Sequence, residues 1–222
     1  MDFLALAQQC APAVSPHTMA AIVSVESSFN PYAIGVVKGR LDRQPRNRVE
    51  ALQAVNRLIV QKKNFSMGIA QVNRYNLPAY KLSYEQAFDP CHSLRVGSLI
   101  LKDCFTRALK VSGNDQEALR KALSCYYSGN FRRGFIPDRA GDKSYVNKVI
   151  LSAENQARQG VKKQIVVPAI ATSSNPAALP LKTSKQTDNQ MVKPSFSDES
   201  NFASAEESTV KPRLVKPAYM VF

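Results

Sequence analysis

Tryptophan is absent from this 222-residue chain, and histidine occurs only as His17 and His92. No apolar run approaches the roughly 18 residues of a membrane-spanning helix, so we expect no transmembrane segment. No Cys-x-x-Cys pair occurs, and each histidine stands alone. Because metal sites show in a sequence as closely spaced cysteines and histidines, we expect no metal site and no cofactor.

Acidic residues are also few, with 17 Asp and Glu against 30 Lys and Arg, which gives a net charge of +13. This surplus favours a polyanionic partner through long-range attraction, whatever the fold. Nucleic acid, an anionic membrane and the peptide-bearing cell wall all fit such a charge. No nucleic-acid-reading motif accompanies it, so we expect no nucleic-acid partner.

Four cysteines are present, Cys10, Cys91, Cys104 and Cys125. An even number allows two disulfides in an oxidising compartment, in any of three pairings. Four buried free thiols in a cytosolic protein are the alternative. The N-terminus does not decide between them, because the apolar run at residues 3–7 is too short for an evident export signal and no Lys or Arg precedes it.

Two regions of different texture divide the chain. Residues 1–160 contain all nine glycines and most of the patterned segments, which predicts one mainly α-helical domain of the α+β class. From residue 161, prolines punctuate a stretch rich in Ser, Thr and Lys without a sustained period. We therefore expect residues 161–222 to form a largely disordered tail, with a short strand at 165–167 as an alternative.

Helices are expected where apolar residues recur at helical spacing and where end signals occur. Their ranges are about 3–9, 16–30, 48–62, 90–110, 116–127 and 144–158. The second begins with Ser15 as N-cap and Pro16 in the first turn, and we expect Asn30-Pro31 to end it. Residues 32–46 are predicted to be irregular or a short strand, and residues 65–73 a turn leading into a short element.

Two further helix features are predicted from local sequence. The helix at about 48–62 is expected to use one apolar face, formed by Val49, Leu52, Val55 and Ile59. Asp115 is the candidate cap of the helix that follows the turn at residues 112–115.

Glu26 lies on the same helical stripe as Met19, Ile22 and Val23. An ionised carboxylate is costly to bury among apolar side chains, and the negative end of the helix dipole also disfavours its charge. Both effects raise the pKa of Glu26. A carboxylic acid that keeps its proton near neutral pH can protonate the leaving oxygen in glycosidic cleavage. The alternative is a solvated glutamate at the rim of the fold.

Four short blocks carry a resemblance to a known family. Residues 26–33 read Glu-Ser-Ser-Phe-Asn-Pro-Tyr-Ala, and residues 68–71 read Gly-Ile-Ala-Gln. Residues 125–129 read Cys-Tyr-Tyr-Ser-Gly, and residues 144–149 read Ser-Tyr-Val-Asn-Lys-Val. In this order they resemble the Glu-Ser-x-Phe-(Asn/Asp)-Pro-x-Ala, Gly-Leu-Met-Gln, Ala-Tyr-Asn-x-Gly and Tyr-Val-x-x-Val motifs of the soluble lytic transglycosylase family.

Further features are similar to the VirB1-type subgroup, the cell-wall-opening component of type IV secretion systems. They are Gly-Ile-Ala-Gln-Val-Asn at 68–73, the helix start Asp-Pro-Cys at 89–91 and a basic insertion at 38–63. The resemblance implies a lysozyme-like fold with a small β-hairpin region and a location in the periplasm of a Gram-negative bacterium. It implies peptidoglycan glycan strands as substrate and secretion components as partners. Tyr127, where the family has Asn, and Gly35, where it has Ser, are departures.

The resemblance also implies the chemistry. Glu26 is then the single acid/base, cutting the bond between N-acetylmuramic acid and N-acetylglucosamine without water and leaving a 1,6-anhydro product. Substrate-binding roles fall on Ser27, Gly68, Gln71, Tyr126 and Tyr145. The structural alternatives are helix capping for the serine, a turn for the glycine, bracing of the hairpin for the glutamine and core packing for the tyrosines.

Other functions remain open at this stage. A hydrolase of the lysozyme type would use a second carboxylate, for which Asp42, Glu50 and Asp89 are candidates. A non-catalytic adaptor would bind glycan and dock secretion components. The basic residues at positions 38–48 either form a solvated face or draw the protein to wall carboxylates or an acidic partner.

Overall fold

The structure, a computed structural model, describes residues 2–159. This part is mainly helical, with seven α-helices and one small sheet, as expected for the α+β class. The helices are α1 (Phe3–Cys10), α2 (Pro16–Ser27), α3 (Arg48–Val60), α4 (Tyr84–Ala87), α5 (Pro90–Leu109), α6 (Asp115–Ser128) and α7 (Tyr145–Gln159). Short 3-10 turns cover Arg74–Asn76, Pro78–Tyr80 and Arg133–Phe135. The expected tail at 161–222 and the strand at 165–167 lie outside the described residues.

The sheet has three antiparallel strands in the order β1 (Ile34–Val36), β2 (Phe65–Met67) and β3 (Val72–Asn73). Gly35 lies opposite Ser66, which sets the register of the first pair. Residues 68–71, the Gly-Ile-Ala-Gln block, connect β2 to β3. The short strand expected within 32–46 and the turn expected within 65–73 are therefore confirmed.

Helix α2 begins as predicted, with Ser15 outside it and Pro16 in its first turn, but it ends earlier than expected. Ser28 adopts the left-handed conformation at φ 50° and Phe29 follows at φ 66°. The Asn30 N–H then donates to the Ser27 carbonyl at 2.9 Å. The prediction that Asn30-Pro31 ends the helix was wrong, because a left-handed turn stops it before the proline acts.

Two other local predictions need correction. In α3 the buried residues are Ala51, Ala54, Val55 and Leu58. Val55 is buried as predicted, and Leu52 and Ile59 pack partly buried against the core, but Val49 is 66% exposed. The alanines and Leu58, which the predicted face left out, complete the buried side of the helix. The cap of α6 is Asn114, whose side chain accepts from the Glu117 N–H, while Asp115 is its first helical residue.

Two disulfides join the helices, Cys10–Cys91 and Cys104–Cys125. The first ties the end of α1 to the first turn of α5, and the second ties α5 to α6. The contacts of α5 with both α1 and α6 bring these cysteines together and select one of the three pairings. Between residues 2 and 159, no helix combines the length and apolarity that a membrane crossing requires.

Candidate active site

Glu26 lies in the last turn of α2 and its residue surface is only 5% exposed. Met19, Ile22 and Val23, on the same stripe, are fully buried. The interpretation of Glu26 as a solvated rim residue was therefore wrong. Burial raises the pKa of Glu26 to about 7, and the hydrogen bond from Tyr145 opposes that rise. A substantial fraction of Glu26 is consequently protonated near neutral pH.

Tyr145, in the first turn of α7, holds the carboxyl of Glu26. Its hydroxyl donates to Glu26 Oε1 at 2.5 Å, across 119 positions of sequence. This contact follows from the packing of α2 along α7. Glu26 Oε2 has no hydrogen-bond partner within residues 2–159, so Tyr145 orients the carboxyl through Oε1 alone in this part of the chain.

Tyr126, in α6, is buried near the same carboxyl but bonds elsewhere. Its hydroxyl donates to the Ala70 carbonyl oxygen at 2.6 Å. Burial is the main cause that holds the pKa of Tyr126 well above its usual value, and the charge of Glu26 adds to it. The resemblance implied a substrate-binding role for Tyr126, whereas in the structure its hydroxyl is bonded to the β2–β3 connection.

Tyr127 supports the tyrosine that holds Glu26. Its ring stacks on Tyr145 with centroids 4.5 Å apart and planes 13° from parallel. The Tyr127 hydroxyl lies 2.8 Å from both carboxylate oxygens of Asp138, and Arg133 pairs with that carboxylate at 2.5 Å. Burial, followed by the Asp138 carboxylate, raises the pKa of Tyr127. The tyrosine that departs from the family's Asn thus makes a ring contact that an Asn could not make.

Ser27 and Gln71 fasten the β2–β3 connection to its neighbours. The Ser27 hydroxyl donates to the Ile69 carbonyl at 2.8 Å. The Gln71 amide donates to the Ala33 and Gly68 carbonyls, both at 2.8 Å. Gln71 Oε1 is buried without a hydrogen-bond partner. Both side chains therefore brace the site, and Gln71 in addition keeps one free acceptor, which buried polar atoms rarely do.

Gly68 has a packing reason of its own. It adopts φ +78°, and an added Cβ would lie 2.0 Å from the Ala87 carbonyl oxygen and 2.8 Å from the Ser93 hydroxyl. A side chain at this position would therefore collide with the backbone before α5. The contact explains the glycine without reference to a ligand.

The other candidate carboxylates are engaged elsewhere or lie on the insertion. Glu50 accepts from Arg43 at 2.6 Å and from the Arg46 N–H at 3.1 Å. Asp89 caps α5 by accepting from the His92 N–H at 2.9 Å. Asp42 lines a cavity beside α3. No second carboxylate is among the causes of the raised pKa of Glu26.

Sequence reasoning missed three residues that shape the site. Gly97 in α5 leaves room for the Tyr126 hydroxyl, which would be 3.0 Å from an added Cβ. The Ser93 hydroxyl accepts from the Ala70 N–H at 3.2 Å. Asp138 orients Tyr127. Only the glycine within an otherwise helical stretch offered a signal, since the other two act through contacts distant in sequence.

We also searched the described residues for side chains that could bind a metal ion. Within residues 2–159, no three His, Cys, Asp or Glu side chains form a group that could hold a metal ion. The groups that the structure places at Glu26 are the Tyr145 hydroxyl, which donates to it, and the nearby Tyr126.

Comparisons with known proteins place this arrangement in a family. Residues 3–147 match the model of the transglycosylase SLT domain. The type IV secretion system protein virB1 of Brucella abortus biovar 1 is 54% identical over 196 residues, which cover 86% of this chain and 80% of that protein. The protein virB1 of Agrobacterium fabrum is 31% identical over 153 residues, covering 69% of this chain and 60% of that protein. No solved structure gives a significant match.

The matched region includes the buried acid and the residues around it. Glu26, Gln71 and Tyr145 all fall within residues 3–147. The family model also covers more than half of the chain. This chain therefore belongs to the transglycosylase SLT domain family.

Proposed function

We propose that this chain is a peptidoglycan lytic transglycosylase in which Glu26 is the single acid/base. The observation that carries the proposal is a glutamic acid, 5% exposed, whose pKa burial raises to about 7. Such a group holds a proton near neutral pH and can give it up within the pH range of enzymes. The oriented Oε1 and the free Oε2 support a role in which Oε2 faces the scissile oxygen.

The first step is protonation of the leaving oxygen. Glu26 donates its proton to the glycosidic oxygen between N-acetylmuramic acid and N-acetylglucosamine while the C1–O bond breaks. The proton leaves with the N-acetylglucosamine hydroxyl, and Glu26 becomes a carboxylate. The Tyr145 hydroxyl, donating to Oε1, stabilises that carboxylate at the moment it forms.

The second step closes the ring. The Glu26 carboxylate takes the proton of the C6 hydroxyl of N-acetylmuramic acid as that oxygen attacks C1. A 1,6-anhydro sugar forms, and Glu26 returns to its acid form. Because the nucleophile belongs to the same sugar, no second carboxylate has to orient a water molecule.

Neighbouring residues have proposed roles in binding the glycan. The unpaired Gln71 Oε1 is suited to accept the N–H of a sugar acetamido group, which would supply its missing hydrogen bond. Tyr145 orients the acid. Ser27, Gly68 and Tyr126 fix the backbone of the β2–β3 connection beside it, and any direct sugar contact from them stays a prediction.

We propose that the enzyme opens the cell wall locally for assembly of a type IV secretion system in a Gram-negative periplasm. The names of the virB1 relatives support the context. The two disulfides support an oxidising compartment. Trapping thiols in the native host and weighing the protein tests this location, since four free thiols in the exported form would contradict it.

The domain division at residue 160 also stays a proposal. The family match ends at residue 147 and so falls inside the proposed catalytic domain at 1–160. The remaining 161–222 are proposed to take no part in the chemistry.

Glu26→Gln tests the catalytic assignment. The variant keeps the shape and can still accept from Tyr145, but it cannot donate and retrieve a proton. We expect cleavage of purified peptidoglycan to fall at least about 10²-fold, while binding and fold persist. Glu117→Gln is the matched control, because Glu117 lies in an ion pair with Lys121 on the surface of α6.

The products decide between the reaction types. The wild-type products are expected to be one water lighter than those of a lysozyme, as mass spectrometry of released muropeptides will show. Products that contain the extra water would establish a hydrolase and require a second carboxylate. Absence of cleavage by the wild type would leave the glycan-binding adaptor as the better function.

A further inference from the structure

A cavity of about 570 Å³ lies between α3 and the loop that precedes it, among residues that the catalytic proposal does not use. Leu41, which is partly buried, and the buried Pro45, Ala54 and Leu58 contribute its apolar surface. The other lining residues are polar or charged. The volume lies within the range of roughly 300–1,000 Å³ typical of sites for small ligands.

The charges around this cavity are unevenly paired. Arg43 is held by Glu50 at 2.6 Å. Arg40 and Arg57 also line the cavity, and neither has an ion-pair partner within residues 2–159. The Asp42 carboxylate, another lining group, likewise has no ion pair in this part of the chain. The cavity therefore presents two free guanidinium groups and one free carboxylate.

The cavity is fastened to the strand that begins beside the catalytic site. Gln44 Oε1 accepts from the Ile34 N–H at 2.8 Å, and its Nε2 donates to the Ile34 carbonyl at 3.0 Å. The preceding residue, Ala33, accepts from Gln71. Gln44 thus clamps the loop between two lining residues, Arg43 and Pro45, to β1. The insertion is thus hydrogen-bonded to the residue that follows Ala33, the partner of Gln71.

We propose that this cavity binds the short peptide carried by the glycan substrate, with Arg40 and Arg57 receiving its carboxylates and Asp42 receiving an ammonium group. The proposal rests on the proposed function, because it takes peptidoglycan as the substrate. Cell-wall peptides carry free carboxylates and a free amine within a few residues, and the cavity offers groups of both signs. Guanidinium groups bind carboxylates in forked, charge-assisted hydrogen bonds.

Other polyanions fit the cavity less well. A nucleic acid or a phospholipid surface brings phosphate charge of one sign, which offers no partner to the free Asp42 carboxylate. A broad protein partner would bind a wide surface rather than a concave site of this volume. A short zwitterionic peptide matches both the size and the charges.

Binding is tested with the full chain carrying Glu26→Gln, so that cleavage does not interfere. The probe is a soluble cell-wall tripeptide of alanine, glutamate and diaminopimelate, titrated by calorimetry. Arg40→Gln with Arg57→Gln is expected to raise the Kd at least about fivefold, as the loss of exposed charge pairs implies. Arg46→Gln, in the same loop but outside the cavity lining, is the matched control and leaves the Kd unchanged.

The ammonium contact has its own test. Asp42→Asn is expected to weaken binding of the tripeptide acetylated only at its alanine amine, which keeps the diaminopimelate amine free, but not of the tripeptide acetylated at both amines. The four measurements form a double-variant cycle. Loss of affinity for both peptides alike would overturn the contact. A Kd that responds equally to the cavity variants and to Arg46→Gln, or no binding of the tripeptide, would overturn the site.

Cleavage supplies a second readout on the chain with Glu26 intact. The ratio of kcat/KM for peptide-bearing strands to that for strands stripped of peptide is expected to fall in the arginine double variant, through KM. An unchanged ratio contradicts the site. Failure of the Glu26 assignment leaves the calorimetric result intact, so the two proposals fail separately.

Discussion

Glu26 in the last turn of α2 and Glu50 in the first turn of α3 are both glutamates, yet their surroundings shift the pKa in opposite directions. Burial raises the pKa of Glu26 to about 7. Hydrogen bonds from Arg43 and from the Arg46 N–H lower the pKa of Glu50, whose side chain is 30% exposed. The first is kept close to its neutral form and the second is kept charged.

The difference separates a buried carboxyl held by a tyrosine hydroxyl from a region organised by ion pairs. Around Glu26 the hydrogen-bond partner is the Tyr145 hydroxyl, and no cation among residues 2–159 is a cause of its pKa shift. Around Glu50 the Arg43 guanidinium and the Arg46 N–H supply that compensation. Position near a helix end does not decide the direction of the pKa shift, since both glutamates lie near the end of a helix. The surrounding side chains and their exposure to solvent decide it.

Removal of the disulfides should have the largest effect on stability. Both disulfides join helices outside the insertion that contains Glu50. Replacing Cys10 and Cys91 by Ala should lower the free energy of unfolding by about 4 kcal/mol, given their separation of 81 residues. The same change at Cys104 and Cys125, separated by 21, should lower it by about 3 kcal/mol. Urea titration measures both values.

Hydrogen exchange then sharpens the regional contrast. The second disulfide joins Cys104 in α5 to Cys125, which directly precedes Tyr126 in α6. Loss of this disulfide should speed local amide exchange in α5 and α6. Helix α3 contains no cysteine and should change only through global unfolding. An equal local loss of exchange protection in α3 would show that α3 is not stabilised independently of α5 and α6.

The pH dependence of stability should have opposite signs at the two glutamates. Glu26 holds its proton to a higher pH when folded than when unfolded, so its contribution falls as pH rises from the unfolded value of 4.5 to about 7. Glu26→Gln should therefore gain about 2 to 3 kcal/mol over wild type between about pH 5 and pH 8. Parallel urea titrations of the two proteins measure this gain.

Glu50 provides the contrasting case. Its folded pKa is lowered, so its favourable contribution is present above the unfolded pKa and is lost as pH falls through the folded pKa. Glu50→Gln should then be less stable than wild type at about pH 8 and recover relative to it in acid. The same sign for both variants would refute the contrast.

Tyr145→Phe should have the smallest of these effects and acts only on the catalytic side. The ring keeps its stack on Tyr127, but Glu26 loses a hydrogen bond that lowers its pKa. The fall of kcat on the alkaline side should move to higher pH, and the rate should drop about tenfold, as for a lost bond to a charged group. Steady-state rates across pH on soluble glycan strands measure both.

Tyr75→Phe is the matched control for that experiment, because Tyr75 is 47% exposed and lies on the 3-10 turn Arg74–Asn76. Its pH profile should match that of the wild type. A profile for Tyr145→Phe that also matches would mean that Tyr145 has no part in setting the proton affinity of Glu26.

Local signals predicted the elements of this fold well and their ends less well. Ser15 and Pro16 marked the start of α2, and Asp89 the start of α5, because capping depends on neighbouring residues alone. The left-handed turn at Ser28 and the alanine face of α3 escaped prediction, because each depends on what packs against it. Alanine in particular gives no sign in the sequence of whether it is buried, because that depends on which segment packs against it.

The sequence by itself determined the helical class of the domain, the likeness to a transglycosylase family and the raised pKa of Glu26. These depend on local spacing and motif blocks. Only the tertiary structure decided the disulfide pairing, the Tyr145 bond to Glu26, the support from Asp138 and the free Gln71 acceptor. The physical reason is that these contacts join groups distant in sequence, and the pKa of the acid depends on the solvent that all of them together exclude.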